Sequence, residues 1–227
     1  METYRLTPPV KALWRDGYKV SVTSIATFVR HLAQPFGVNW APKPYSEITG
    51  DIGHPGIDIA LPVGQPIFAS HDGVIVERDD SDDIDGLGLT IYDPVQKIQT
   101  MYWHNSFNHI PINGLVKRGD LIALSGGSGK SYGPHLHFAL YQTDAMGRII
   151  NTNNGYHGAI DPTPYFMMSL FEPKNMDSQF VTDLYIFHFG RKPDTEELTF
   201  WTGKNYRDLL KAMLEGRAEH FKDIISQ

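Results

Sequence analysis

From Pro66 to Tyr141 the sequence is a succession of short β-branched and aromatic runs, each closed by glycine, proline, aspartate or asparagine. Pro66-Ile67-Phe68-Ala69, Gly73-Val74-Ile75-Val76-Glu77, Leu89-Thr90-Ile91-Tyr92, Gln99-Thr100-Met101-Tyr102-Trp103, Leu121-Ile122-Ala123-Leu124 and Leu136 to Tyr141 each have the length and residue types of one strand. No helical period lies between them, so this spacing predicts an antiparallel sheet over residues 35–171. The preceding residues 1–34 predict a preface of one short strand and one short helix packed on that sheet, with the run Val20-Ser21-Val22-Thr23-Ser24-Ile25 in its middle.

After a linker at Glu172-Pro173-Lys174 the period changes. Phe180, Leu184 and Phe187 recur at helical spacing, and Leu209, Leu210, Met213 and Leu214 make a second apolar face. Asp194 can cap a helix, with Glu197 placed to reach back to it. Residues 175–227 are therefore expected to be a small all-helical domain, and the whole chain is α+β in class.

Composition narrows the function. Of 227 residues, 41% are hydrophobic, enough to build a packed core and too many for a disordered chain. A net charge of −6 argues against nucleic acid as a partner, since phosphate neutralisation needs basic patches, and against docking on anionic membranes. There is no cysteine, which excludes thiolate catalysis and Cys-based zinc sites. No apolar stretch has the length of a membrane span, so membrane insertion is not expected. Met1-Glu2-Thr3-Tyr4-Arg5 is not the basic start of a secretory signal, so synthesis without a Sec signal is the expectation.

Two motifs imitate binding sites and fail on register. Gly129-Lys130-Ser131 ends like a phosphate-binding loop, but Leu124 occupies the required glycine position and Gly133-Pro134 blocks the following helix. The acidic run from Asp79 to Gly86 would put Ser81 and Tyr92 at the first and last calcium positions of an EF-hand, so a solvated acidic loop is expected.

The chemistry lies in the histidines. His54-Pro55-Gly56-Ile57-Asp58 reads as a turn into a strand, which can bring an imidazole and a carboxylate to one point. In the strand beginning His135-Leu136-His137-Phe138, both histidines project to one face while Leu136, Phe138 and Leu140 point to a core. His104 follows the strand Met101-Tyr102-Trp103 near its end. Two histidines and one aspartate fill the protein positions of an open catalytic zinc site, which keeps one position for water. The remaining histidines can then move protons. No His-Glu-x-x-His helix occurs. His31, His71, His109, His157, His188 and His220 read as ordinary surface or core residues.

His54-x-x-x-Asp58, Tyr102-x-His104 and Gly133-Pro134-His135-Leu136-His137-Phe138 together resemble the signature of lysostaphin-type (M23 family) zinc metallopeptidases. The intervening stretches from Gly56 to Pro66, Ala69 to Gly73, Gly119 to Ile122 and Gly126 to Gly133 resemble the family as well. The resemblance implies an antiparallel β-sheet peptidase core with a substrate groove, and Zn2+ as cofactor. It implies a zinc endopeptidase hydrolysing peptide bonds in bacterial peptidoglycan, with wall peptides as the partner. By that resemblance His54, Asp58 and His137 fall on the metal ligands, and His104 and His135 on the catalytic histidines. Asn105, Tyr132 and Ala139 depart from the residues common in the family and none is a ligand. Tyr102, two residues from His104 and so on its face, and Tyr132 are the expected substrate-binding residues. The tail around Leu184-Tyr185, Gly190-Arg191, Asp194, Leu198 and Trp201 resembles a small helical domain of unknown function found in secreted and phage proteins. A phage or bacterial wall-lytic enzyme, acting on the cell wall as a released or virion-borne lysin, is the expected setting. The alternatives are a non-catalytic wall-binding or hydrolase-activating relative, or a structural phage-tail tip domain.

Overall fold

Strand pairing builds a seven-stranded sheet, a three-stranded sheet and a separate two-stranded hairpin. The structure is a computed structural model and describes residues 4–15, 18–22, 25–40, 44–84, 86–166, 178, 181–182, 185 and 191–204. The chain separates into two units, Met1–Phe171 and Glu172–Gln227. Among the described residues no helix is long and apolar enough to cross a membrane.

The first unit opens with the hairpin β1 (Ala12–Arg15) and β2 (Tyr18–Ser21) and the helix α1 (Ile25–Arg30). A short helix α2 (Tyr45–Ile48) precedes β3 (Ile57–Ala60). There follow β4 (Pro66–Phe68), β5 (Gly73–Asp79), β6 (Gly88–Asp93), β7 (Ile98–Trp103), β8 (Asn105–Asn108), β9 (Leu115–Val116), β10 (Leu121–Ser125), β11 (His135–Gln142) and β12 (Ala159–Ile160). The larger sheet runs β12-β11-β7-β6-β5-β9, with β3 pairing the first half of β11; the smaller runs β4-β10-β8. All these pairings are antiparallel, as the absence of crossover helices requires.

Directly opposed residues in antiparallel strands share a face. Phe138 of β11 faces Tyr102 of β7, which faces Leu89 of β6, and all three are fully buried. Leu136, Leu140 and Ile91 continue this core face. On the reverse face the opposed set is Asp58, His137, Trp103 and Gly88. One sheet thus carries an apolar side and a chemical side, and the alternation in His135-Leu136-His137-Phe138 is the cause.

The first 34 residues pack into the same core: Leu6, Leu13 and Phe28 are fully buried, and Phe28 meets Phe166 edge-on at 5.0 Å between ring centroids. In the second unit, helix Thr195–Trp201 starts at Asp194, whose carboxylate accepts the Glu197 amide at 2.8 Å while the Glu197 carboxylate accepts the Asp194 amide at 2.8 Å. Arg191 grips the buried Glu197 carboxylate through two nitrogens, each at 2.9 Å. The apolar positions Phe180, Leu184, Phe187, Leu209, Leu210, Met213 and Leu214 lie outside the described residues.

A buried polar chain crosses the core. His71 donates from Nδ1 to the Asp72 carbonyl at 2.8 Å, and its Nε2 stands 2.8 Å from Thr100 Oγ1. Burial holds the His71 pKa below its ordinary value, against the opposing pull of Asp93 at 3.9 Å. The folded chain therefore keeps His71 neutral where the unfolded chain would protonate it. Below about pH 6.5 the unfolded state binds the extra proton, so the stability tied to His71 is complete above that pH and lost as pH falls. The unfolding midpoint of chelator-treated protein should drop between pH 7.5 and pH 5, and drop less steeply in His71→Gln. Equal slopes in the two proteins would remove His71 from the account.

Candidate metal centre

The turn at His54 and the β3–β11 pair converge on one point. Asp58 and His137 are direct cross-strand partners, and the Asp58 Oδ1 oxygen lies 3.0 Å from His137 Nδ1. His54 enters from the turn before β3, fixed by its carbonyl accepting the Gly37 amide at 2.9 Å. Its Nε2 lies 3.1 Å from Asp58 Oδ1 and 3.0 Å from His137 Nδ1. His54 donates from Nδ1 to the Pro35 carbonyl at 3.4 Å, which leaves Nε2 as a lone pair aimed at the other two atoms.

Ligand atoms of His54, Asp58 and His137 all lie within 4.8 Å of one another. Three electron-pair donors turned on one point is an arrangement that a cation satisfies. Two nitrogens and one carboxylate oxygen, with no sulfur, suit zinc in an open site. Burial pushes the Asp58 carboxyl upward, but the His137 ring, and after it the His54 ring, outweighs burial and holds the pKa well below the carboxylate range; a metal would take the place of the proton shared between them. Burial also lowers the pKa of His54, against the pull of Asp58. A charged carboxylate beside a neutral imidazole is the protonation state that metal binding requires.

His104 and His135 flank this point without joining it. Their rings are 4.6 Å apart between centroids, and His104 stands 6.2 Å from the His137 ring. His135 donates from Nδ1 to the Gly133 carbonyl at 2.8 Å; His104 donates from Nδ1 to the Ser128 carbonyl at 2.9 Å. Each therefore turns an Nε2 lone pair inward, that of His135 lying 3.6 Å from Asp58 Oδ1. Burial, then the neighbouring His135, brings the His104 pKa down to about 4, so His104 is neutral.

His104 does not continue the alternation of β7. That strand ends at Trp103, and His104 takes a φ of 66° as the chain passes from the larger sheet to the smaller. Face parity breaks there, which corrects the assignment of Tyr102 to the substrate groove. Tyr102 is fully buried on the core face, and its hydroxyl accepts the Ser70 amide at 2.9 Å and the Thr100 hydroxyl at 3.0 Å. Trp103 is the member of the pair on the site face. Tyr132 is 77% exposed in the glycine-rich loop beside the site. Asn105 is a buried structural residue, donating to the Tyr102 carbonyl at 3.1 Å and to Asn108 Oδ1 at 2.8 Å. The acidic loop is exposed at Asp80, Asp82 and Asp83, yet it is docked: Asp82 accepts the Gly129 amide at 3.0 Å and the Ile84 carbonyl accepts the Lys130 amide at 2.9 Å.

Two contributors escape sequence reasoning. The Tyr45 ring, on α2, lies 5.5 Å from the His54 ring, and its hydroxyl accepts from Gln34 at 3.2 Å. Burial and then Asp58 push that phenol up to about 12. No periodicity relates Tyr45 to the histidines. Gly56 is the second. A Cβ there would stand 2.6 Å from the Phe138 carbonyl oxygen and 2.8 Å from His137 Cε1. The His137 ring thus rests on bare backbone, a signal visible only as the glycine inside His54-Pro55-Gly56-Ile57-Asp58.

Gly56→Ala should therefore weaken metal binding at the candidate centre about 10–100-fold, as loss of a supporting contact does, when competed against a chromophoric chelator. His54→Ala and His137→Ala should lose most of the metal. Unchanged affinity in Gly56→Ala would show that the His137 ring is free to adjust.

Residues 52–152 match the family model described as Peptidase family M23. Peptidoglycan DD-endopeptidase ShyB of Vibrio cholerae is 41% identical over 100 residues, covering 43% of this chain and 22% of the relative. Glycyl-glycine endopeptidase ALE-1 of Staphylococcus capitis is 34% identical over 152 residues, covering 61% of this chain and 38% of the relative. The chain thus spans well under half the length of these curated relatives. Among solved structures, the catalytic domain of the antimicrobial peptidase lysostaphin from Staphylococcus simulans aligns with a TM-score of 0.49 at 24% identity, over 63% of this chain and 96% of that one. It is over residues 52–152 that the chain is similar to peptidase family M23.

Proposed function

We propose that the chain is a zinc-dependent endopeptidase that hydrolyses peptide bonds in bacterial peptidoglycan, acting on the cell wall. The observation that carries the reading is the convergence of His54 Nε2, Asp58 Oδ1 and His137 Nδ1, with the His104 and His135 rings beside them on the chemical face of the sheet. The printed activities of the two relatives, both peptidoglycan or glycyl-glycine endopeptidases, support the substrate class.

In this reading His54, Asp58 and His137 hold the metal. When bound, zinc polarises a carbonyl oxygen and lowers the pKa of a water to about 7. His135 and His104, each with Nδ1–H committed to a backbone carbonyl, offer Nε2 as the proton acceptor. One of them takes the proton of the attacking water. It then returns that proton to the amine nitrogen as the carbon–nitrogen bond breaks. The carbonyls of Gly133 and Ser128 fix the tautomer and orientation of these rings, and so keep both lone pairs facing the substrate.

His104→Ala and His135→Ala should each retain zinc and the fold while losing about 10²–10⁴ in turnover on muropeptides, with zinc content and kcat/KM taken from the same preparations. A variant that loses its metal would identify that histidine as a ligand. Near-full activity in both would overturn the proton-transfer scheme.

A further inference from the structure

The chemical face of the larger sheet is covered at one end by an apolar cluster and only half-buried at Trp103 and His137. Over Ala139, Tyr141 and Met101 lies a small apolar cluster completed by Phe36, Ile149 and Tyr156. The adjacent row of the same face holds His137, Trp103 and Gly88, and Trp103 belongs to neither this cluster nor the main core. The indole is half-buried and is packed into neither core.

Its seat is specific. A Cβ on Gly88 would collide with three carbons of the Trp103 ring, so the indole lies flat against bare backbone, on the side of Trp103 away from His137. Strands are spaced about 4.8 Å apart, so the ring forms a floor running from about 5 to about 10 Å beyond His137. An extended peptide advances about 3.3 Å per residue, which puts the floor within one to three residues of a bond held at the metal. The glycine-rich loop flanks it, tied down by the Leu87 amide donating to Ser128 Oγ at 2.9 Å. Beyond Gly88 the row ends at Asp79, with Asp80 and Asp82 exposed nearby. An acidic side chain would meet the negative face of the indole and these carboxylates; an apolar one would lose only water.

Resting on the peptidase reading above, we propose that Trp103, seated on Gly88, is a specificity-determining residue: its ring is the floor of a subsite that accepts an apolar residue and rejects an acidic one next to the cleaved bond.

The test uses the zinc-loaded full chain and soluble wall-type peptides in which alanine or glutamate is scanned through the positions flanking the cleaved bond. Trp103→Ala should raise KM on the preferred peptide about tenfold while zinc content holds and kcat changes less than about threefold. It should also erase the preference for alanine over glutamate at one position. Trp103→Phe should lie between, and Gly88→Ala, which lifts the ring without removing it, should resemble Trp103→Ala. Unchanged KM and unchanged preference in Trp103→Ala and Gly88→Ala would overturn the proposal while leaving the peptidase reading intact. So would a joint loss of zinc and kcat, which would make the ring a mere support of His137. Failure of the zinc-loaded wild type to cleave any peptide would overturn the peptidase reading, and this proposal with it.

Discussion

Hydrogen bonding of β3 to β11 in the register that sets Asp58 opposite His137 is the constraint on which the site depends. A slip by one residue would carry Asp58 to the core face and bring Ile57 or Ile59 out, because side chains alternate strictly along a strand. The core forbids that slip. Ile57 and Ile59 are fully buried, as are Leu136 and Phe138 opposite them. Burying one such side chain is worth about 1.5–3 kcal/mol, so the apolar face fixes the register with far more energy than the polar pair could supply unaided. The geometry of the candidate metal centre is therefore enforced from behind.

The same pairing decides the electrostatics. One carboxylate sits among four imidazoles. His54 and His104 are lowered by burial. His104 and His135 also have their Nδ1 hydrogens taken by backbone carbonyls, which leaves one free nitrogen each on the inner side. Asp58 stays charged because the His137 and His54 rings beside it overcome its burial. A cluster of lone pairs around a single negative charge attracts a cation and tolerates no further anion.

Much of this was legible in the sequence, and the reason is periodicity. Alternation in His135-Leu136-His137-Phe138 gives both the chemical face and the core face, and the strands of the sheet are visible as short runs between turn residues. Parity arguments fail where a strand ends. Tyr102 and His104 look like face-mates at a separation of two, but His104 turns into the left-handed region between two sheets and Tyr102 goes to the core. Tyr45 was invisible because its approach to His54 is a tertiary event with no local pattern. The acidic run looked solvated from its charge, whereas its Asp82 carboxylate and Ile84 carbonyl are spent on anchoring the glycine-rich loop.

Gly56 and Gly88 have one role in common: each supplies bare backbone against which a ring can lie. His137 rests on Gly56 from the β3 side, and Trp103 rests on Gly88 from the β7 side. Both rings belong to the same cross-strand row, so the two glycines bracket it. A side chain at either position would raise its ring from the sheet, and the next strand, only about 4.8 Å away, would feel the displacement. Flatness of this row is thus a property of residues with no chemistry of their own. It lets a rigid sheet, rather than a loop, present the imidazole and the indole at fixed spacing, and rigidity at that spacing is what a positioned reaction needs.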